Sequence, residues 1–189
     1  MRMRSFAKAL LSTFAFACIL FTTVQPASAF GDAAKASAVI RGCTDDGIAG
    51  IARLRERPSD EGVKLVDVTF LVFGLTDGKH AVHIHQTAAC EPCGAAGGHF
   101  DPGPASNTSP DGNHPFHSGD LINIESNDGF AFLHAVTSRV TLSDGPLSLF
   151  DEDGSSFIIH VNEDTYCPEG EVAGCAGGGR AACGIINLD

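Results

Sequence analysis

Several features are scarce or missing in this chain. None of its eight histidines occurs before residue 80, and only 12 of its 189 residues are lysine or arginine. After residue 29, no segment keeps the spacing of apolar residues that a helix needs, and no apolar run is long enough to cross a bilayer. These absences exclude a helical fold and argue against a membrane anchor in the main part of the chain.

The scarcity of positive charge has a consequence for partners. All 23 acidic residues follow position 29, whereas Arg2, Arg4 and Lys8 precede it, so residues 30–189 carry a formal charge of −14. Such an acidic balance argues against nucleic acid and anionic membrane surfaces as partners.

The first 29 residues are typical of a secretory signal peptide. Arg2, Arg4 and Lys8 form a positive segment, residues 9–24 are apolar, and Ala27-Ser28-Ala29 is a small-residue cleavage site. We therefore predict a signal peptide over residues 1–29 and one domain over residues 30–189, secreted or held in a periplasm after cleavage.

The predicted domain is strand-like almost throughout. Eight short segments alternate or are enriched in β-branched and aromatic residues, and turn sequences such as Asn127-Asp128-Gly129 separate them. The expected fold is all-β, an antiparallel sandwich or flattened barrel of eight strands. Two long irregular stretches, residues 87–119 and 163–180, interrupt this pattern and are expected to be functional loops.

Six cysteines follow the predicted signal, and an even number in an oxidising compartment indicates disulfides. Cys90 and Cys93 form a C-x-x-C, which we interpret as structural because no βαβ pattern accompanies it. Cys167 and Cys175 are expected to bond to each other, with pairing to Cys43 or Cys93 as the alternative.

The histidines suggest the chemistry. His83 and His85 occupy alternate positions of a strand, so both imidazoles point the same way while Val82 and Ile84 point into the core. A loop and a second strand add further candidates, namely His99, His114, His117, Asp120 and His160. Many imidazoles and one carboxylate suit copper and zinc.

Four stretches, in order, resemble the copper/zinc superoxide dismutases. Residues 74–85 (GLTDGKHAVHIH) are similar to that family's copper strand, and residues 96–102 (AGGHFDP) and 117–121 (HSGDL) to the two ends of its zinc loop. Residues 177–186 (GGGRAACGII) resemble its C-terminal signature. The resemblance covers about residues 38–188 and implies a Greek-key form of the predicted fold.

The resemblance also implies roles for individual residues. Copper would be held by His83, His85, His99 and His160, and zinc by His99, His117, Asp120 and one further histidine. His99 would bridge both metals. Asp164 would orient one copper histidine and one zinc histidine, Arg180 would dock the substrate anion, and Cys90 would pair with Cys183. His80 corresponds to a packing residue.

One zinc ligand departs from the family pattern. The position where the family usually places its third zinc histidine is Asn107 here, and His114 is the only other candidate in the loop. We predict His114 as the ligand because H-x-x-H spacing can chelate one ion. The alternative is a solvated His114, with zinc weakly bound or absent.

The implied activity is dismutation of superoxide to oxygen and hydrogen peroxide by Cu(II)/Cu(I) cycling, with zinc in a structural role. The second loop carries Glu163, Asp164, Glu169 and Glu171 but no lysine, so added salt should weaken the activity little or raise it.

Two other functions compete with this one. An exported copper/zinc storage module of the same fold would share every ligand but would need no Arg180. A dinuclear zinc hydrolase would need more carboxylate ligands than Asp120. The sequence leaves open whether the chain acts as a monomer or as a homodimer.

Overall fold

The computed structural model describes residues 33–103 and 108–189, so the predicted signal peptide and Asn107 lie outside the described residues. Apart from one short 3₁₀ helix, Cys93–Ala96, the regular structure in these ranges is β. In chain order the strands are β1 (Lys35–Gly42), β2 (Ala49–Pro58), β3 (Lys64–Phe73), β4 (Gly78–His80), β5 (Val82–His85), β6 (Ile124–Asn127), β7 (Phe130–Thr137), β8 (Ser156–His160), β9 (Arg180–Ile185) and β10 (Asn187–Leu188).

The strands form one antiparallel sheet that nearly closes on itself. Its order is β4-β6-β7-β3-β2-β1-β9-β8-β5, and β10 adds to β1. The two strands at the ends of this order, β4 and β5, are consecutive in the chain, so the sheet curls into a flattened barrel. The all-β prediction is confirmed.

Ala81 marks the place where the chain changes partners. Before it, β4 pairs with β6, and after it, β5 pairs with β8. The amide of Ala81 donates to the carbonyl of Asn162 at 2.9 Å, and its carbonyl accepts from the amide of His160 at 2.9 Å. The chain on the two sides of Ala81 therefore forms two short strands with different partners.

Alternating apolar residues build the core, as strand geometry requires. Along β3, Val66, Val68, Phe70 and Val72 are fully buried, and the ring of Phe70 meets that of Phe157 edge-on at 4.7 Å between centroids. Every residue of β5 and β8 is buried, on both faces. One face of these two strands packs on the core, and the long loops cover the other.

Strand β7 ends at Thr137. Beyond it, the carboxylate of Glu56 accepts hydrogen bonds from the amides of Leu142 and Ser143, at 2.7 and 3.0 Å. A side chain thus takes the place of a strand partner. In the described ranges we find no helix that is long and apolar enough to cross a membrane.

Candidate metal centre

The two histidines of β5 point away from the core, under the loops. Nδ1 of His85 donates to the carbonyl of Gly97 at 3.0 Å, which leaves Nε2 as the free acceptor nitrogen. His83 is turned the other way, because its Nε2 donates to Asp164 Oδ2 at 3.0 Å and its Nδ1 lies 3.2 Å from Nε2 of His160. Backbone and carboxylate partners therefore decide which nitrogen of each ring faces inward.

Four histidines converge at this point. One nitrogen from each of His83, His85, His99 and His160 lies within 4.8 Å of the others, and all four residues are buried. His160 is oriented like His85, since its Nδ1 donates to the carbonyl of Gly178 at 3.0 Å. The cluster offers four imidazole nitrogens to one ion.

A second cluster lies on the other side of His99. His83, His99, His114 and Asp120 also have ligand atoms within 4.8 Å of one another. His117 joins this group through Nδ1, which is 2.9 Å from Asp120 Oδ2 and 3.3 Å from Nδ1 of His99. The loop and β5 thus bring four imidazoles and one carboxylate together, and three of the imidazoles, those of His99, His114 and His117, come from the loop.

His99 belongs to both clusters. Its Nδ1 donates to Asp120 Oδ1 at 2.7 Å, while its ring centroid lies 4.9 Å from that of His85 and 4.2 Å from that of His83. Nε2 of His99 is buried and has no hydrogen-bond partner in the described part of the chain. One nitrogen of this ring serves each cluster.

Asp164 ties the clusters together from outside. Its carboxylate accepts from Nε2 of His83 at 3.0 Å and from Nε2 of His114 at 2.8 Å. This arrangement turns Nδ1 of His114 inward, 3.1 Å from Asp120 Oδ2. The backbone around Asp164 is held by Asn123, whose side chain bonds both its amide and its carbonyl.

Burial sets the protonation of the first cluster. It lowers the pKa of His83 to about 3 and that of His160 to about 4, and the pKa values of His85 and His99 also fall, with neighbouring imidazoles adding to the effect. These rings are therefore neutral at neutral pH, which is the form that binds metals.

The second cluster has carboxylates in it and behaves differently. Burial acts to lower the pKa of His114, but hydrogen bonds to Asp120 and Asp164 outweigh it and raise the pKa to about 9. Burial likewise acts to raise the pKa values of the two carboxyls, and hydrogen bonds from the histidines hold them well below the usual range. Two buried negative charges thus surround a site suited to a cation.

Both donor sets fit a metal ion. Two buried imidazole nitrogens of the first cluster, His85 Nε2 and His99 Nε2, lack a hydrogen-bond partner in the described ranges. Leaving buried polar atoms unpaired costs free energy, and coordination would satisfy such nitrogens. A set of four nitrogens suits copper, and three nitrogens with one carboxylate suit zinc.

A small cavity of about 180 Å³ adjoins the first cluster, lined in part by His160 and Arg180. The guanidinium of Arg180 donates to the carbonyls of Cys93 and Gly97. Arg180 is therefore fixed beside the first cluster, at the wall of a cavity large enough for a small anion.

Comparisons with known proteins agree with this geometry. The family model of copper/zinc superoxide dismutase (SODC) matches residues 48–186. The chain belongs to the copper/zinc superoxide dismutase family. Superoxide dismutase (Cu-Zn) 5 of Dictyostelium discoideum is 32% identical over 162 residues, which are 82% of this chain and 97% of that protein. The superoxide dismutase (Cu-Zn) of Deinococcus radiodurans is 37% identical over 144 residues, 68% of this chain and 72% of that protein.

A solved structure extends the comparison of the fold alone. The clock protein EA4 in its crystal structure superimposes with a TM-score of 0.64 and 23% identity, covering 85% of this chain and 98% of that chain. Family membership confirms three predictions from the sequence: the resemblance itself, an oxidoreductase acting on superoxide, and copper and zinc as metals.

Three disulfides hold the loops of this dismutase. Cys90 is joined to Cys183 and Cys43 to Cys93, so each end of the C-x-x-C is bonded to a different part of the barrel. Cys167 is joined to Cys175 within the second loop. The four cysteines of the first group pack around Ala96 and Ile158 beneath the loop.

The remaining histidines lie outside the two clusters. His80 is buried, with Nδ1 2.8 Å from the carbonyl of His160 and Nε2 2.9 Å from that of Thr76. His134 lies on β7 with half of its side chain exposed. Neither histidine is among the residues that the fold brings to the metal centre.

The sequence gives no local sign of two other residues at the centre. Arg139, two residues after the end of β7, donates to the carbonyls of Asp120 and Pro115 and so holds the loop that carries His114 and His117. Asp111 accepts from the amides of Gly174 and Ala176, at 2.9 and 3.2 Å, and lines the same cavity as Arg180. Both residues make contacts with segments far away in the sequence, and a local motif cannot show such contacts.

Proposed function

We propose that this dismutase converts superoxide to oxygen and hydrogen peroxide with copper as its redox centre and zinc as a structural ion, outside the cytoplasm. The observation that supports this most directly is the position of His99. Its ring lies between two donor sets of different composition, with one nitrogen directed to each.

The ligand assignment follows from the two clusters. Copper would be held by His83, His85, His99 and His160, and zinc by His99, His114, His117 and Asp120. When bound, copper would supply one-electron redox chemistry, whereas zinc has no redox chemistry and would keep the loop and His99 in place.

His99 is also the group that can move a proton. Two superoxide anions and two protons give one oxygen molecule and one hydrogen peroxide molecule, so a proton donor must lie beside the substrate. Nε2 of His99 has no other hydrogen-bond partner in the described ranges, so it can take up a proton and pass it on. In the metal-free protein Asp120 holds this ring in place, since its Oδ1 lies 2.7 Å from Nδ1 of His99.

Arg180 would bind and orient the substrate. Its charge lies in a small, partly enclosed cavity beside His160, where a fixed cation attracts a small anion more strongly than in bulk water. The hydrogen bonds to Cys93 and Gly97 keep the guanidinium from swinging away. Because a storage module would need no such group, this feature favours the enzyme.

Export is supported by the cysteines. All six that follow the predicted signal are in disulfides, and disulfides persist in oxidising compartments. The signal-like residues 1–29 are consistent with secretion or a periplasmic location.

The test is to load the purified protein with copper and zinc and to follow the decay of superoxide in a stopped-flow instrument. We expect rapid removal by the wild type and a large loss in Arg180→Gln. Arg41→Gln removes the same charge on β1 and should keep full activity. A metal-loaded wild type without activity would overturn the proposal and leave the storage module standing.

A further inference from the structure

The outer face of β1, β2, β3 and β7 is divided into two halves. Strand register places Lys35 beside Arg55, Ser37 beside Arg53, and Thr69 between Arg53 and His134. These six residues line a groove of about 760 Å³, which we call the basic groove. Neighbouring strands lie about 4.8 Å apart, so the three cationic side chains are close together.

The positive charges of the basic groove outnumber its negative ones. The charged ends of Lys35, Arg53 and Arg55 have no ion-pair or hydrogen-bond partner within residues 33–103 and 108–189. Two carboxylates also line the groove: Asp67 is paired with Arg57 at 2.8 Å, whereas Asp189 accepts from the neutral hydroxyl of Ser37 and keeps its charge, so three cations face one uncompensated side-chain carboxylate. Unpaired cations on one flat surface attract an anionic partner.

This face contrasts with the rest of the chain. Residues 30–189 carry a formal charge of −14, because all 23 acidic residues follow Arg2, Arg4 and Lys8. Yet outward positions of β1 and β2 hold five of the nine lysines and arginines after residue 29, namely Lys35, Arg41, Arg53, Arg55 and Arg57. A random scatter of so few cations would not concentrate on two adjacent strands.

The other half of the same face is apolar and exposed. Leu71, Phe73, Phe130 and Phe132 are 37%, 51%, 45% and 56% exposed, and we call these four residues the aromatic ledge. The register pairs Leu71 with Phe132 and Phe73 with Phe130, whose ring centroids are 5.4 Å apart. Exposed phenyl rings in a contiguous group mark a binding surface more often than scattered ones do.

We propose that this face binds an acidic polysaccharide, with uronate carboxylates on the basic groove and sugar rings on the aromatic ledge. Arginine fits carboxylates with two parallel hydrogen bonds, and the hydroxyl of Thr69 can bond a sugar hydroxyl. The apolar side of a sugar ring stacks on aromatic side chains. A flat, open sheet face suits an extended polymer better than a compact ligand.

Charge density favours a polysaccharide over nucleic acid. Double-stranded DNA carries one charge per roughly 1.7 Å of its axis, and the acidic remainder of the chain would repel so dense a polyanion. A polyuronate carries at most one charge on each sugar. Three disulfides also indicate an oxidising compartment, where surface polysaccharides are found.

The binding does not depend on the metal centre. Every residue of the basic groove and the aromatic ledge lies on β1, β2, β3 or β7, whereas the histidine clusters lie on β5, β8 and the loops. Polymer binding should therefore survive removal of the metals, and the dismutase rate should survive loss of the basic groove.

The experiment measures the affinity of the full-length mature protein for polygalacturonate, with neutral dextran and a single-stranded DNA oligonucleotide as comparison probes. We expect binding to polygalacturonate only, and a steep fall in affinity as salt is raised. Arg55→Glu should weaken it at least about tenfold, because it places a like charge in the groove. Lys79→Glu makes the same charge change on β4 and should alter the affinity less than about twofold.

Phe132→Ser tests the aromatic ledge, and superoxide removal and the melting temperature show whether the variants stay folded. Phe132→Ser should weaken polygalacturonate binding without changing its dependence on salt. Superoxide removal and the melting temperature of Arg55→Glu should match the wild type. Equal affinity of Arg55→Glu and Lys79→Glu, binding to dextran, preference for the oligonucleotide, or concentration-dependent self-association that Phe132→Ser abolishes would each overturn the proposal.

Discussion

Oδ2 of Asp164 lies 2.8 Å from Nε2 of His114, and this contact joins the loop between β5 and β6 to the centre of the site. The same carboxylate holds His83 at 3.0 Å, so one side chain orients a histidine of each cluster. His114 reaches this position although the chain has Asn107 where the third zinc histidine was expected. Its role as a zinc ligand stays a prediction, and the distance of 3.1 Å from its Nδ1 to Asp120 Oδ2 supports it.

Asp164→Asn should weaken zinc binding by about ten- to a hundredfold, since an outer partner that orients a ligand has effects of this size. The amide nitrogen would face a histidine N–H where the carboxylate accepted one. Competition with a chelator measures the affinity. Glu163→Gln is the control, because Glu163 is exposed and next in sequence. Unchanged zinc affinity in Asp164→Asn would contradict the orienting role.

His114→Ala should reduce bound zinc from one ion per chain to well below one, while bound copper stays near one. The reason is that His114 Nδ1 lies 3.1 Å from Asp120 Oδ2, at the second cluster, whereas the first cluster does not include His114. Metal analysis by mass spectrometry after dialysis gives both numbers. The exposed His134 provides the comparison variant, His134→Ala. Full zinc occupancy in His114→Ala would show that another residue completes the site.

Salt should change kcat/KM for superoxide little, or raise it. Glu163, Glu169 and Glu171 are exposed in the loop before Arg180, and screening reduces their repulsion of the anion as well as the attraction of Arg180. Glu169→Gln combined with Glu171→Gln should therefore increase kcat/KM at low salt. Glu125→Gln on β6 should leave it unchanged. A steep fall of the wild-type rate with salt would show that positive steering dominates.

Glu56→Gln should destabilise the fold at neutral pH by about 1–3 kcal/mol, the cost of disrupting a buried hydrogen-bonded charge. Glu56 is 7% exposed. Burial acts to raise its pKa, but hydrogen bonds from Ser143 and Leu142 and the contact with Lys64 lower it below 4.5. Because the folded-state pKa is the lower one, the stabilisation is present above pH 4.5 and is lost as pH falls through the folded-state pKa.

Urea unfolding of both proteins in the metal-free form measures this difference in stability. The gap between wild type and Glu56→Gln should be largest at pH 7 and should shrink on acidification. Glu125→Gln, an exposed change on β6, should unfold with the wild type at every pH. A gap for Glu56→Gln that widens in acid would contradict the sign of the pKa shift.

The sequence predicts the fold class because the strand alternation in β2, β3 and β7 is regular, with buried and exposed residues in turn. It does not predict where strands change partners, because Ala81 differs from its neighbours only in its hydrogen bonds to Asn162 and His160. Motif spacing places the histidines near one another. It cannot show that Arg139 and Asp111 hold the loops, since those contacts join residues far apart in the chain.

Cys90 and Cys93 are close in sequence, yet their sulfurs go to Cys183 on β9 and to Cys43 just after β1. These two strands are hydrogen-bonded neighbours, so two disulfides hold the short segment between the cysteines against one part of the sheet. Of the two carbonyls that hold Arg180, that of Cys93 belongs to this segment and that of Gly97 follows the short helix Cys93–Ala96. Because these anchors lie at the start of the long loop, the position of the guanidinium does not depend on the length of the loop beyond Gly97.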